Sequence, residues 1–206
     1  MATVKLVLLR HGETSWTLER RFTGGRDIPL SASGQAQAEA IAAALAGQTI
    51  AAVYASPLER TRTTAEIVAK PHRMPVQVAA DLREMGFGAW EGLTRDEVVR
   101  RDPDAWATWR TAPHTLVAHG GERLTDVAAR VRAQTDAFRT AHDGETIVVV
   151  THAIVVRLTV LDALGLGPER LWSVDASPAG ITEIELGADW TTVHRMNTLA
   201  HLAEPA

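Results

Sequence analysis

Four side chains suited to handling phosphate and protons follow stretches that read as buried strands. Arg10 and His11 end the apolar run "KLVLLRHG". Ser56 and Pro57 end "TIAAVYASP", with Arg60 one helical turn on, and His152 follows Thr151 at the end of "ETIVVVTH". In open α/β sheets, ligands bind beyond the carboxyl ends of the strands, so connectivity alone sends two arginines and two histidines to one sheet edge. Arginine offers a planar fork of donors that matches phosphate oxygens. Histidine can serve as nucleophile, base or metal ligand. A metal site would want carboxylates beside the imidazoles, and its charge would be opposed by arginines. The set therefore points to a phosphate ester without a metal and without a cofactor.

The elements that must position these residues can be read along the chain. Val4 to Leu9 is continuously apolar after Lys5, as in a strand covered on both faces. Ser31 to about Leu45 reads as a helix with Ser31 as its N-cap. Residues 49–56 form a second strand, 57 to about 68 a second helix, and 76–79 a short strand. A long amphipathic helix runs from 122 to about 140, with Glu122 favouring its N-terminus electrostatically. Residues 145–152 are the clearest buried strand, and 153–164 form the helix after it. "GITEIEL" and "WTTVHRM" form a terminal pair, antiparallel if a turn at 187–189 joins them. The expected fold is α/β, a mostly parallel central sheet flanked by helices. One domain, 1–206, is expected, with the less regular residues 86–121 as a roof of short helices and loops over the site.

Bulk composition narrows the partners. The 206 residues include no cysteine, which excludes disulfides, thiolate nucleophiles and Cys-based zinc sites. A net charge of -4 favours neither nucleic acid nor an anionic membrane as partner. No stretch is long and apolar enough to span a bilayer, and the N-terminus does not read as a signal peptide, so a cytoplasmic setting is expected. Oligomeric state is not fixed by the sequence; a homodimer is one arrangement it allows.

Five segments in order, "LLRHGETSW", "RFTGGRDIPLSASGQAQA", "YASPLERTRTTAEIV", "LREMGFGAWEG" and "VVVTHAIVVR", resemble the motif set of the histidine phosphatase superfamily, the cofactor-dependent phosphoglycerate mutases and related phosphatases. The resemblance implies that His11 is a nucleophile that becomes phosphohistidine. Arg10, Arg60 and His152 would form the phosphate pocket, and Glu84 would be the proton donor. It also implies that Thr23 and Gly24 line the substrate pocket. Thr17 stands where the family often has Asn, and Ala153 where it usually has Gly. Thr17 would keep one hydrogen bond of different reach, and the Ala153 methyl would narrow the pocket wall. Arg100 and Arg101 do not match the carboxylate-gripping arginines of the mutases and read as a solvated helix face. His72, His114, His119, His142, His194 and His201 lack motif context, although His114 and His119 fall in the roof. The reading that results is a phosphomonoesterase acting on a small phosphorylated metabolite. A mutase and a non-catalytic phosphate-binding module are the alternatives.

Overall fold

The computed structural model describes residues 3–202. Its centre is a six-stranded sheet built from β1 (Val4–Arg10), β2 (Ala52–Ala55), β3 (Val76–Val78), β4 (Thr146–Thr151), β5 (Ile181–Leu186) and β6 (Thr191–Thr198). The strand order is β3-β2-β4-β1-β5-β6. The first four strands of that order are mutually parallel, and β5 and β6 extend the sheet antiparallel beyond β1. The expected mostly parallel α/β architecture is thus present, and the terminal pair is an antiparallel hairpin.

Alternate residues of the continuous apolar strands face opposite layers. Leu6 and Leu8 of β1 and Ile147 and Val149 of β4 join one core with α6 (Leu124–Ala141) and α7 (Ala153–Ala163). Val7, Leu9, Val148 and Val150 join the other, against α2 (Ala32–Leu45) and α3 (Glu59–Ala69). Both faces are covered, which explains why these strands show no polar alternation. The expected strand at 49–56 is shorter because the chain is still turning out of α2, with the Gln48 N–H donating to the Leu45 carbonyl at 2.9 Å. A four-residue helix not expected from the sequence, α1 (Ser15–Leu18), follows β1 and carries a reciprocal Thr14–Thr17 capping box. The roof contains α4 (Arg95–Arg101) and α5 (Pro103–Thr111). Its Trp90 and Trp109 are buried, and Trp109 packs edge-on against both Trp90 and Phe87. Among the described residues, no helix is long and apolar enough to cross a membrane.

Strand register fixes the level of the site. Arg10 lies opposite Thr151, and Ala55 opposite Val150. The Ser56 N–H donates to the Val150 carbonyl and the His11 N–H to the Thr151 carbonyl, at 3.1 and 3.0 Å. His11, Ser56 and His152 therefore leave three neighbouring strands at the same height.

Candidate active site

His11 is buried, and its Nδ1 lies 2.7 Å from the Gly12 carbonyl. A carbonyl only accepts, so Nδ1 carries the proton and Nε2 keeps its lone pair. Burial first, then the Arg60 and Arg10 charges, hold the imidazole pKa well below 6.5. The resting ring is consequently neutral. The loop beneath it is tightly packed. A Cβ at Gly12 would come within 2.3 Å of the Gly34 carbonyl oxygen, and one at Gly34 within 2.0 Å of the Glu13 oxygen. Two glycines therefore let the start of α2 press against the loop. The Gly12 N–H donates to Thr64 Oγ1 on α3 at 3.3 Å.

Arg60 is fully buried in the first turn of α3. Its Nη1 and Nη2 donate to the Arg26 and Gly24 carbonyls at 2.7 and 3.0 Å, and its Nε points at His11 Nε2 at 3.3 Å. Gly24 adopts φ +52°, and a Cβ there would collide with the Glu91 carboxylate. That carboxylate accepts from the Gly25 and Phe87 N–H groups at 3.0 and 3.1 Å, tying the loop that holds Arg60 to the roof. Arg10 donates from Nη1 to the Ala176 carbonyl at 2.7 Å, while its Nε is buried without a partner. Burial, opposed by Glu84 and reinforced by Arg157 and Arg60, lowers its pKa to about 10, so it stays charged at neutral pH. His152 Nε2 meets Ser56 Oγ at 2.8 Å, its Nδ1 is buried without a partner, and its ring centre is 5.2 Å from that of His11. Unspent polar atoms around a cationic cup are what an anion would satisfy.

Glu84 is buried near this cup. One carboxyl oxygen accepts from the Met85 N–H at 2.9 Å, and the other faces the Ile154 N–H at 3.5 Å. Burial raises its pKa above 4.5, against the opposing effects of the Met85 hydrogen bond, Arg60 and Arg10. The loop carrying it is held by Arg130, in the interior of α6. Nη1 donates to the Asp81 and Arg83 carbonyls at 2.6 and 2.7 Å, and Nη2 to the Glu84 carbonyl at 3.2 Å. Arg130 is itself paired with Glu122 Oε2 at 3.1 Å, and that same oxygen accepts from the Gly86 N–H at 2.8 Å. This corrects the expectation for Glu122. Helix α6 starts at Leu124 with Arg123 as its N-cap, and Glu122 turns toward the Glu84 loop. Replacing Arg130 by methionine should slow hydrolysis of an alkyl phosphate roughly 10- to 100-fold, the scale of a misplaced catalytic group. Hydrolysis of nitrophenyl phosphate, whose leaving group needs no proton, should be far less affected. Equal losses for the two esters would show that Arg130 serves something other than the Glu84 loop.

A cleft of about 480 Å³ brings together Arg10, His11, Thr17, Thr23, Gly24, Arg60, Glu84 and Ala153. His152, its ring centre 5.2 Å from that of His11, is not among the residues on the cleft wall. Thr17 does not offer its hydroxyl proton to the cleft, because Oγ1 donates to the Thr14 carbonyl and accepts from the Thr14 N–H, both at 2.8 Å. The roof contributes less than expected, with Phe87 and Arg95 its members on the cleft wall. His119 lines a separate hollow with Arg101, and His114 lines neither. Arg100 and Arg101 are exposed on α4. Arg157 and Trp172 line the cleft and were missed from the sequence. Arg157 was within reach of pattern reading, since it follows Ala153 by one helical turn. Trp172, in a 3₁₀ segment, gave no such signal.

Residues 6–199 match the model of the histidine phosphatase superfamily (branch 1). Phosphoserine phosphatase 1 of Hydrogenobacter thermophilus is 31% identical over 201 residues, spanning 98% of this chain and 95% of that protein. Bifunctional protein Rv2228c of Mycobacterium tuberculosis is 36% identical over 193 residues; the match spans 93% of this chain but only 53% of that longer protein. Among solved structures, Bacillus stearothermophilus YhfR superposes with a TM-score of 0.91 at 33% identity, covering 97% of this chain and 100% of that one. With the whole motif set inside the matched span, the chain belongs to the histidine phosphatase superfamily.

Proposed function

We propose that the chain hydrolyses a small phosphorylated metabolite through a phosphohistidine on His11, with Glu84 as proton donor. The observation that carries this reading is the opposed tuning of the two groups. His11 is kept neutral with Nε2 unprotonated, and Glu84 is pushed toward its protonated form. Groups whose environments drive their pKa values apart from the ordinary order divide naturally into nucleophile and acid.

The steps follow from the side chains. The phosphoryl oxygens settle on Arg10 and Arg60, and His152, off the cleft wall, backs the His11 ring at a centre-to-centre distance of 5.2 Å. This presets positive charge where negative charge spreads in the transition state. His11 Nε2 attacks phosphorus in line, the ester P–O bond breaks, and its electron pair stays on the departing oxygen. The Glu84 carboxyl gives that oxygen its proton. Glu84, now a carboxylate, takes a proton from water as the water oxygen attacks phosphorus. The Nε2–P bond breaks, its electron pair returns to His11, and inorganic phosphate leaves with Glu84 protonated again. One domain would carry the whole reaction, with residues 86–121 as part of its roof. Among the described residues, no cluster of three or more His, Asp or Glu could hold a metal ion, and the cup is made of arginine, so these steps call on none.

The test is a panel of phosphomonoesters, assayed with and without exhaustive chelation. Inorganic phosphate should be released at a rate that chelation does not change. Phosphoglycerates separate hydrolase from mutase: phosphate should accumulate without an added acceptor. Isomerised product outrunning phosphate by orders of magnitude, or activity lost to the chelator and restored by a divalent ion, would overturn the reading.

A further inference from the structure

We propose that Arg157 sets specificity by receiving a carboxylate on the part of the substrate that is not transferred. This deepens the hydrolytic reading above and rests on it. Arg157 lies on the cleft wall, its side chain 15% exposed. Its guanidinium lies over the Trp172 ring, 5.0 Å from the centroid. That ring is itself fixed, its Nε1–H donating to the Trp109 carbonyl at 2.9 Å. Nη2 faces Asp175 at 3.4 Å, and Nε is buried with no partner. Asp175, its ion-pair partner, is also engaged by Asn197 and Ser177, which anchors it. The result is an oriented fork with unspent donors, suited to a planar carboxylate.

Other cations at the mouth are less suited. Arg20 is exposed, Arg21 is paired with two carboxylates, Glu19 and Glu97, against one for Arg157, and Arg95 is exposed and stacked on Trp106. The phosphate cup already has Arg10 and Arg60. A helix rises about 1.5 Å per residue, so Arg157 stands about 6 Å along α7 from Ala153. Arg157 and the cup residues Arg10 and Arg60 line the same cleft, so one small ligand can meet all three.

The matched pair 3-phosphoglycerate and glycerol 3-phosphate tests this, because both lose phosphate from a primary alkoxide and only one carries a carboxylate. The wild-type protein should prefer 3-phosphoglycerate. Arg157→Met should lower kcat/KM for 3-phosphoglycerate roughly 10- to 100-fold, mostly through KM, the scale of a lost charge-assisted hydrogen bond. Turnover of glycerol 3-phosphate and inhibition by orthovanadate should change little, and Arg157→Lys should recover part of the loss. Equal losses on both esters, weakened vanadate inhibition, no loss on either, or a wild type indifferent to the carboxylate would each overturn the proposal. A wild type inactive on both esters and on an aryl phosphate would overturn the hydrolytic reading itself.

Discussion

Replacing His11 by alanine should reduce turnover by roughly 10⁴-fold or more, the scale seen when a covalent nucleophile is removed. The expectation comes from geometry that leaves little room for a substitute. His11 Nε2 is the unprotonated atom facing Arg60, whereas His152 Nε2 is engaged by Ser56 Oγ at 2.8 Å. The fold should survive the change, since the His11 side chain contributes only a local hydrogen bond to Gly12 and one accepted from Arg60 Nε, and the loop is held by backbone and Thr64 contacts. Steady-state rates with an alkyl and an aryl phosphate check this. Activity within tenfold of the wild type would move the nucleophile elsewhere.

Glu84→Gln should slow hydrolysis of alkyl phosphates roughly 10²- to 10⁴-fold, the usual contribution of a positioned general acid. The loss should shrink for nitrophenyl phosphate in the first step, because nitrophenolate leaves without a proton. The pH profile gives a second readout. Neutral His11 is required for attack and its pKa is lowered, so the ascending limb should lie well below pH 6.5. Protonated Glu84 is required for departure and its pKa is raised, so the descending limb should lie above pH 4.5 and should be lost in Glu84→Gln. An ascending limb at or above pH 6.5 would contradict a neutral resting His11, and an equal loss for good and poor leaving groups would remove Glu84 from the acid role.

The cationic cup was legible in the sequence because buried strands announce their own ends. Apolar runs before Arg10 and His152 place those residues at a sheet edge whatever the register, and register then brings in Ser56. Glu84 was not legible that way. It follows a 3₁₀ turn rather than a strand, and only the resemblance carried by "LREMGFGAWEG" singled it out. Arg130 was hidden for a different reason, and Arg157 was passed over for the same one despite its helical spacing from Ala153. On a helix, an arginine reads as a solvated charge, and what makes these two consequential is tertiary: the carbonyls of residues 81–84 for one, the Trp172 ring for the other. The sequence did not show that the Thr17 hydroxyl spends its proton locally, on the Thr14 carbonyl.

The central claim is a covalent phosphoryl group on His11. Rapid acid-free quench of the protein with a phosphorus-labelled ester, followed by peptide mapping, addresses it directly. The account predicts label on the peptide containing His11, stable to base, released by acid and absent from His11→Ala. Label on the peptide containing His152, or turnover at full rate with no labelled protein at any time, would contradict it.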